Sequence, residues 1–185
     1  MENILYVNAC VRSGSRTKRL AEYFLGRIKG NVKKVDLQKE KIKPLTENDL
    51  KLRDNYLKNQ TDEFFSYAKD FSNADIIVIS APFWDLGIPA TLKVYLENVT
   101  ISGITFCYEN NSPKGLCKAK RLIFITTAGG YISEDFGYKY IKTLAETFYG
   151  IKNTVCFKAE GLDIVGNNVE EILNETEKEI DKFTI

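Results

Sequence analysis

The chain has 185 residues, of which 44% are hydrophobic, and 26 lysines and arginines stand against 25 aspartates and glutamates. This length fits one folded domain with enough apolar residues to cover a sheet on both faces, so we expect residues 1–185 to form a single domain. A net charge of +1 gives no general attraction to nucleic acid or to an anionic membrane, and we predict that the protein binds neither. The chain contains no histidine, which excludes Ser-His-Asp and Cys-His catalytic units.

The cysteines and the N-terminus indicate a reducing compartment. Cys10, Cys107, Cys117 and Cys156 show no CxxC spacing, and without histidine the usual zinc sites are hard to assemble. We therefore predict no metal site and buried, reduced thiols. No stretch approaches the roughly 20 apolar residues that cross a bilayer, and the start, MENILYVNAC, is typical of a strand rather than of an export signal. We expect a cytoplasmic protein.

Short apolar runs alternate with segments of helical periodicity along the chain. The predicted strands cover residues 4–8, 32–37, 76–80, 122–126 and 155–158, and the predicted helices cover 17–28, 136–148 and a segment that begins at Pro89. This alternation is typical of βαβ units and predicts an α/β fold, a parallel sheet with helices on both faces. Residues 39–62 and 103–115 are irregular, and we predict loops or partial helices there, at the rim of the sheet.

The loop after the first predicted strand, NACVRSGSRTKRL, is rich in small and hydroxylated residues. Its hydroxyls and backbone N–H groups stand at the start of a helix, where the helix dipole favours an anion. This composition predicts a phosphate site, but an ordinary helix cap beside solvated basic residues would have the same composition. The residues concerned are Arg12, Ser13, Gly14, Ser15, Arg16 and Thr17.

Two further strand ends carry features suited to a flat aromatic ligand. After the third strand, Phe83, Trp84 and Leu86 can form a wall for such a ligand, or they fill the core or a subunit interface. After the fourth strand, the paired glycines of TTAGGY permit either close approach of the backbone to a ligand or a plain tight turn. Because the carboxyl ends of parallel strands meet at one edge, the three loops together predict binding of an aromatic mononucleotide such as FMN.

Three segments carry a family resemblance. CVRSGSRT at residues 10–17 is similar to an S-x-R-x-x-S-x-T loop, PFWDLGIPATLK at 82–93 to a P-x-Y/W-N-x-x-x-P-A-x-L-K block, and GITFCYENNSPKGL at 103–116 to a GVTFRYTENGPEGL-type stretch. These are features of the flavodoxin-like NAD(P)H:quinone oxidoreductase and FMN-dependent NADH azoreductase family. The chain resembles that family from its first strand through KAEGLDI at residues 158–164.

The resemblance implies a flavodoxin-like, doubly wound five-stranded sheet of order 2-1-3-4-5, non-covalent FMN, and a homodimer with shared active sites. It implies ping-pong chemistry, in which NADH or NADPH gives hydride to flavin N5 and a small-molecule acceptor, a quinone or an azo compound, then takes the reducing equivalents. By position, the cofactor-binding residues are Cys10, Arg12, Ser15, Arg16, Thr17, Pro82, Phe83, Trp84, Asp85, Leu86, Thr127, Ala128, Gly129 and Gly130.

The chain departs from the family pattern at three of these positions. Cys10 stands where serine is common, Asp85 where asparagine is common, and Ala128 where some azoreductases carry arginine. These differences leave the choice of electron acceptor open. An electron carrier of the flavodoxin type and a regulatory protein without flavin are the alternative functions.

Other residues have two possible roles under the same resemblance. Tyr131 either supplies protons to the reaction or only borders the site, and Phe106 and Tyr108 either cover the flavin of the neighbouring subunit or pack in the dimer interface. The helix that begins at Pro89 carries an apolar stripe with i, i+3, i+4, i+7 spacing, which we expect to help hold a dimer, although it can also pack on the chain's own sheet. The stripe consists of Leu92, Tyr95, Leu96 and Val99.

Overall fold

The computed structural model of the chain describes residues 1–55 and 63–183. Its strands are β1 (Glu2–Asn8), β2 (Gly30–Asp36), β3 (Ile76–Ser80), β4 (Phe106–Glu109), β5 (Ser112–Gly115), β6 (Arg121–Thr127) and β7 (Thr154–Ala159). Five of them form a sheet in the order β2-β1-β3-β6-β7, and every pair in this sheet is parallel. The predicted flavodoxin-like order is confirmed, because β6 and β7 are the fourth and fifth strands of this sheet along the chain.

Helices cover both faces of the main sheet. They are α1 (Arg16–Leu25), α2 (Glu47–Asp54), α3 (Ser66–Asn73), α4 (Ala90–Val99), α5 (Tyr138–Leu144) and α6 (Val169–Lys182). A short 3₁₀ turn at Glu63–Phe65 precedes α3, and a π-helical turn at Ala145–Tyr149 continues α5. Apolar residues of α1 and α6 pack against one face, whereas those of α3, α4 and α5 pack against the other. Within the described ranges, no helix combines the length and apolar character needed to cross a bilayer.

The inner strands are apolar on both faces because each face has its own core. On β1, Leu5 and Val7 belong to the core under α3, α4 and α5, whereas Ile4 and Tyr6 belong to the core under α1 and α6. All residues of β3 are buried, as expected for the central strand of such a sheet. The lack of polar alternation in the run 76–79 follows directly from this two-sided burial.

The apolar stripe of α4 packs on the chain's own sheet. Leu92, Tyr95, Leu96 and Val99 are at most 2% exposed and belong to the core that also contains β3 and β6 residues. The expectation that this stripe helps to hold a dimer is therefore wrong, because its side chains have no surface left for a partner. The exposed side of the helix presents Ala90, Thr91 and Lys93 instead.

The segment 103–115 is not a loop or a partial helix as expected, but largely a β-hairpin. Its strands β4 and β5 pair antiparallel, with Glu109 opposite Ser112. Asn110 and Asn111 form the turn with φ values of 51° and 61°, a left-handed conformation that asparagine tolerates better than most residues. The hairpin packs on the end of the π-helical turn so closely that a Cβ atom at Gly115 would overlap the backbone of Gly150.

Part of the segment 39–62 is helical. Thr46 caps α2 by accepting a hydrogen bond from the Asp49 N–H, and the Asp49 carboxylate accepts one from the Thr46 N–H in return. This reciprocal capping box fixes where the helix begins. Residues 39–46 form neither helix nor strand, as predicted for a loop, and residues 56–62 lie outside the described residues.

Candidate functional site

A cavity of about 520 Å³ opens at the carboxyl ends of β1, β3 and β6. This is the edge of an open parallel sheet where ligands bind, and the volume lies in the range of small-molecule sites. The connections that follow β1, β3, β6 and β7 all contribute to its lining. The lining residues are Val11, Arg12, Gly14, Ser15, Arg16, Thr17, Pro82, Phe83, Trp84, Asp85, Thr127, Ala128, Gly129, Leu162 and Asp163.

The connection after β1 brings the N-terminus of α1 into this cavity. Ser15 is the N-cap residue, and its hydroxyl oxygen accepts a hydrogen bond of 3.2 Å from the Lys18 N–H. Because the cap uses only an acceptor lone pair, the Ser15 hydroxyl keeps a proton to donate, and the buried Cys10 thiol lies within its hydrogen-bonding reach. The N–H groups of Arg16 and Thr17, in the first turn, have no intrahelical acceptor. Together with the helix dipole, these donors make the N-terminus of α1 suited to an anion.

A buried pair of hydroxyls joins the connection after β1 to the end of β6. The Oγ1 atoms of Thr17 and Thr127 lie 2.7 Å apart, and the two residues are 1% and 8% exposed. The main chain of the same strand end also anchors the connection after β3, because the Phe83 N–H donates to the Thr127 carbonyl over 3.0 Å. Three walls of the cavity are therefore fixed to one another by short hydrogen bonds.

The connection after β3 forms a tight turn that presents aromatic side chains. Trp84 and Gly87 exchange backbone hydrogen bonds of 3.2 and 2.8 Å around Asp85 and Leu86, whose φ values are 49° and 65°. Two consecutive positive φ values at residues other than glycine cost free energy, so other contacts must fix this turn. The Phe136 N–H donates to the Leu86 carbonyl over 3.1 Å and supplies one such contact. Trp84 is 41% exposed beside the cavity.

The connections after β6 and β7 run side by side. The N–H groups of Gly161, Leu162 and Asp163 donate to the carbonyls of Gly130, Ala128 and Gly129, respectively, over 2.9 to 3.2 Å. A Cβ atom at residue 129 would overlap Oδ2 of Asp163, so a larger residue there would have to displace this exposed carboxylate. The three hydrogen bonds bring the two connections together, and the glycine at residue 129 leaves space for the Asp163 side chain.

Charged side chains of both signs meet at the rim of the cavity. Arg16 Nη1 lies 2.7 Å from Asp163 Oδ1 and donates a longer hydrogen bond of 3.4 Å to the Leu162 carbonyl. The Arg16 and Asp163 side chains are 41% and 70% exposed. This ion pair joins the start of α1 to the connection after β7. Arg12 and Asp85 are also exposed in the lining.

The structure brings eleven of the sequence-predicted cofactor residues together in this lining. It places the Cys10 thiol behind the cavity, where Sγ lies 3.6 Å from Ser80 Oγ, and burial raises the pKa of this thiol. Leu86 and Gly130 are exposed next to the cavity without lining it. The eleven residues are Arg12, Ser15, Arg16, Thr17, Pro82, Phe83, Trp84, Asp85, Thr127, Ala128 and Gly129.

The remaining candidates also lie outside the lining. Tyr131 is 71% exposed, and its ring rests against the backbone at Gly161. Phe106 is buried in an edge-to-face contact with Phe148, at a centroid distance of 5.0 Å. Tyr108 is 65% exposed on the hairpin, with its ring edge-on to Phe106.

Sequence reasoning missed the contribution of the connection after β7. Leu162 and Asp163 line the cavity, as does Val11 of the first connection, which sequence reasoning also missed, whereas Gly14 was among the residues of the predicted phosphate site. The rule that ligands bind at strand ends applies equally to the fifth strand of the sheet, so applying it there would have found the first two residues.

Residues 2–184 match a protein family that is described as having a flavodoxin-like fold. The FMN-dependent NADH:quinone oxidoreductase of Lachnoclostridium phytofermentans is 36% identical over 95% of this chain and 94% of its own length. The chain belongs to this flavodoxin-like family. Another flavodoxin-like relative, FMN-dependent NADH:quinone oxidoreductase 2 of Clostridium acetobutylicum, is 35% identical over 95% of this chain and 94% of its own length.

A solved structure agrees with this assignment. The crystal structure of an azoreductase from Bacillus anthracis superposes with a TM-score of 0.85, at 26% identity over 99% of this chain and 100% of the azoreductase. The match of residues 2–184 to the flavodoxin-like family includes every connection that lines the cavity.

Proposed function

We propose that this chain is an FMN-dependent NAD(P)H oxidoreductase that reduces quinones, azo compounds or both. One observation carries the proposal: a single cavity contains the N-terminus of α1, an aromatic turn and a glycine connection. Family membership, with relatives named as FMN-dependent NADH:quinone oxidoreductases, makes the chain an oxidoreductase and supports both FMN and NADH.

The phosphate end of FMN fits the N-terminus of α1. We assign the phosphate to the hydroxyl of Ser15 and the N–H groups of Arg16 and Thr17, since these donors point out of the first turn. The Thr17 hydroxyl bonds Thr127 at 2.7 Å, so we assign Thr17 a backbone role here, with its side chain holding the connection in place. Arg12 and Arg16 add positive charge at the rim.

The ring end fits the opposite wall. Phe83 and Trp84 offer apolar surface to a flat ring, and the turn at Asp85 and Leu86 brings backbone N–H groups to the same edge of the sheet. Thr127, Ala128 and Gly129 line the third wall of the cavity. We therefore assign the isoalloxazine to the space among these three features.

When bound, FMN would supply the redox chemistry, accepting hydride at N5 from NADH or NADPH and passing the reducing equivalents to the acceptor in a separate, ping-pong half-reaction. The chain's own residues orient the two ends of the cofactor and leave the cavity mouth open to small molecules. We propose that protons come from solvent at this mouth. Tyr131 then borders the mouth, in keeping with its 71% exposure and its position outside the lining.

We further propose a homodimeric, cytoplasmic enzyme in which residues 1–185 form one domain. Large apolar side chains stand exposed around the mouth: Trp84 is 41%, Leu86 51%, Tyr131 71% and Phe136 58% exposed. Such a cluster is typical of an interaction surface. In this proposal a second copy of the chain covers it, and Tyr108 of the hairpin also contacts that copy. Light scattering should give twice the 21.1 kDa chain mass at micromolar concentration, and a monomer would contradict the dimer.

The function is tested by an anaerobic titration. Purified protein reconstituted with FMN should lose its flavin absorbance on addition of NADH or NADPH, and a soluble quinone should restore it. If FMN binds but neither NADH nor NADPH bleaches it, the chain is an electron carrier rather than an enzyme. A protein that binds no FMN would overturn the proposal altogether.

A further inference from the structure

Arg16 lies between two cavities. The first is the site described above, and the second, of about 340 Å³, lies beside it between the N-terminal turns of α1 and α6. Gly14, Ser15 and Arg16 line both. The side chain of Arg16 extends to Asp163, so their ion pair stands at the boundary between the two spaces.

The carboxylate of Asp163 is held in place at this boundary. Its own N–H group donates to the Gly129 carbonyl over 2.9 Å, and its side chain rests directly on the Gly129 backbone. Oδ1 accepts the 2.7 Å hydrogen bond from Arg16. An exposed ion pair of this kind adds little to stability. Its significance here is that it fixes a negative charge and a bulky guanidinium next to the phosphate end of the cavity.

We propose that Asp163 is a specificity-determining residue that restricts the cavity to a flavin ending in a single phosphate. This inference rests on the proposed binding of FMN. A monophosphate that ends at the N-terminus of α1 needs no passage beyond Arg16. A flavin that continues into a second phosphate, such as FAD, must pass the Arg16–Asp163 pair, and its second phosphate then meets a carboxylate of like charge.

The second cavity offers such an extended ligand little compensation. Lys18 and Arg19 line it, but so do Glu22 and Glu170. Arg19 is already paired with Glu170 at 2.7 Å and with Glu177 at 3.2 Å. A pyrophosphate would have to break these pairs to gain a counter-charge. The Arg16–Asp163 ion pair at the boundary and the balance of charges in the second cavity therefore both disfavour binding of FAD.

The test measures binding of FMN and of FAD to the apoprotein by quenching of flavin fluorescence. We expect the wild type to bind FMN more tightly than FAD. In Asp163→Asn, which keeps the side-chain shape and removes its charge, the ratio Kd(FAD)/Kd(FMN) should fall by about three- to fivefold, as expected for a charge at a screened rim. Asp163→Ser, with a smaller side chain, provides a second variant in case the first folds poorly.

The matched control is Glu160→Gln. Glu160 lies on the same connection after β7, pairs with Lys158 at 2.8 Å, and lines neither cavity, so its loss should leave the ratio unchanged. A ratio within about twofold of wild type in both Asp163 variants, or a wild type that binds the two flavins equally, would overturn the inference while FMN binding itself stands. A wild type that binds no FMN would remove the proposed function and this inference with it.

Discussion

The buried hydroxyl pair of Thr17 and Thr127 makes a sharp prediction about the rigidity of the cavity. Their Oγ1 atoms are 2.7 Å apart, and both residues are nearly excluded from solvent. Thr17→Val removes one hydroxyl with almost no change of shape and leaves the Thr127 hydroxyl buried without its partner. A buried polar group that loses its partner costs about 1–3 kcal/mol.

The double variant separates this cost from other effects. In Thr17→Val/Thr127→Val both hydroxyls are gone, so no orphaned group remains, and we expect stability within about 1 kcal/mol of wild type. The coupling energy of the double-mutant cycle, which is the sum of the two single costs less the cost of the double variant, should therefore be at least about 1 kcal/mol, and about 4 kcal/mol if each single variant loses about 2 kcal/mol. Valine is close to threonine in helix propensity and well suited to a strand, so backbone preferences do not confound the comparison.

The assay is urea unfolding of the apoprotein, because bound FMN would raise the apparent stability by mass action. For a chain of this size, each 1 kcal/mol corresponds to roughly 2–4 °C in Tm, which gives an independent thermal check. Thr143→Val is the control: its hydroxyl is exposed on α5, and we expect a change within about 0.5 kcal/mol. Single variants as stable as this control, or a double variant as unstable as the sum of the singles, would refute the reasoning.

Three further predictions concern the same strand-end connections and the buried thiols. Ser15→Ala should weaken FMN binding by about 1.5–3 kcal/mol, because its hydroxyl would donate to the charged phosphate, whereas Arg16→Ala should weaken it by about 1 kcal/mol or less, because salt screens this charge at the rim. Fluorescence titration of both variants at two salt concentrations makes the comparison. A larger loss of affinity for Arg16→Ala at both concentrations would contradict the assignment of the phosphate. Leu86→Gly should leave the free energy of unfolding unchanged or raise it by up to about 1 kcal/mol, because glycine relieves the strain of φ 65°, whereas Leu116→Gly, at a position without positive φ, should lower it. Burial raises the pKa of Cys117 and of Cys156 to about 12, so folding favours the neutral thiols. Their contribution to the free energy of unfolding is complete below the unfolded pKa near 8.5 and should be lost as pH rises from about 8.5 to 12. The variant Cys117→Ala/Cys156→Ala should therefore make the fall of the urea midpoint across that window shallower, while Tyr95 and Tyr149, whose pKa values burial also raises, continue to contribute.

The main sheet could be predicted because its signal is local. The run 76–79 is apolar at every position, which only burial on both faces explains, and each of the other predicted runs overlaps a strand of the sheet. The hairpin β4–β5 was missed because its turn is Asn110-Asn111 rather than a glycine-containing pair. Asparagine tolerates positive φ but does not require it, so the sequence alone does not signal the turn.

The site shows the same division between local and distant information. That Thr17 stands at a helix start follows from the first connection, but the direction of its hydroxyl depends on Thr127, which is 110 residues away along the chain. Likewise, periodicity identifies the stripe Leu92, Tyr95, Leu96 and Val99 as buried without indicating what covers it. A partner chain and the chain's own sheet produce the same pattern.

Several hydrogen bonds within the chain join the connections that line the cavity, and this bears on how a ligand would be held. The Thr17–Thr127 hydroxyl pair, the hydrogen bond from Phe83 to the Thr127 carbonyl, and the bonds between the connections after β6 and β7 need no ligand to form. Even the unfavourable φ values at Asp85 and Leu86 are supported by the bonds between Trp84 and Gly87. A cavity built in this way loses little conformational freedom on binding, which favours affinity. The hydrogen bond between Thr17 and Thr127 should therefore matter for FMN binding even without a contact to the ligand, because it determines where the donors and the aromatic wall stand.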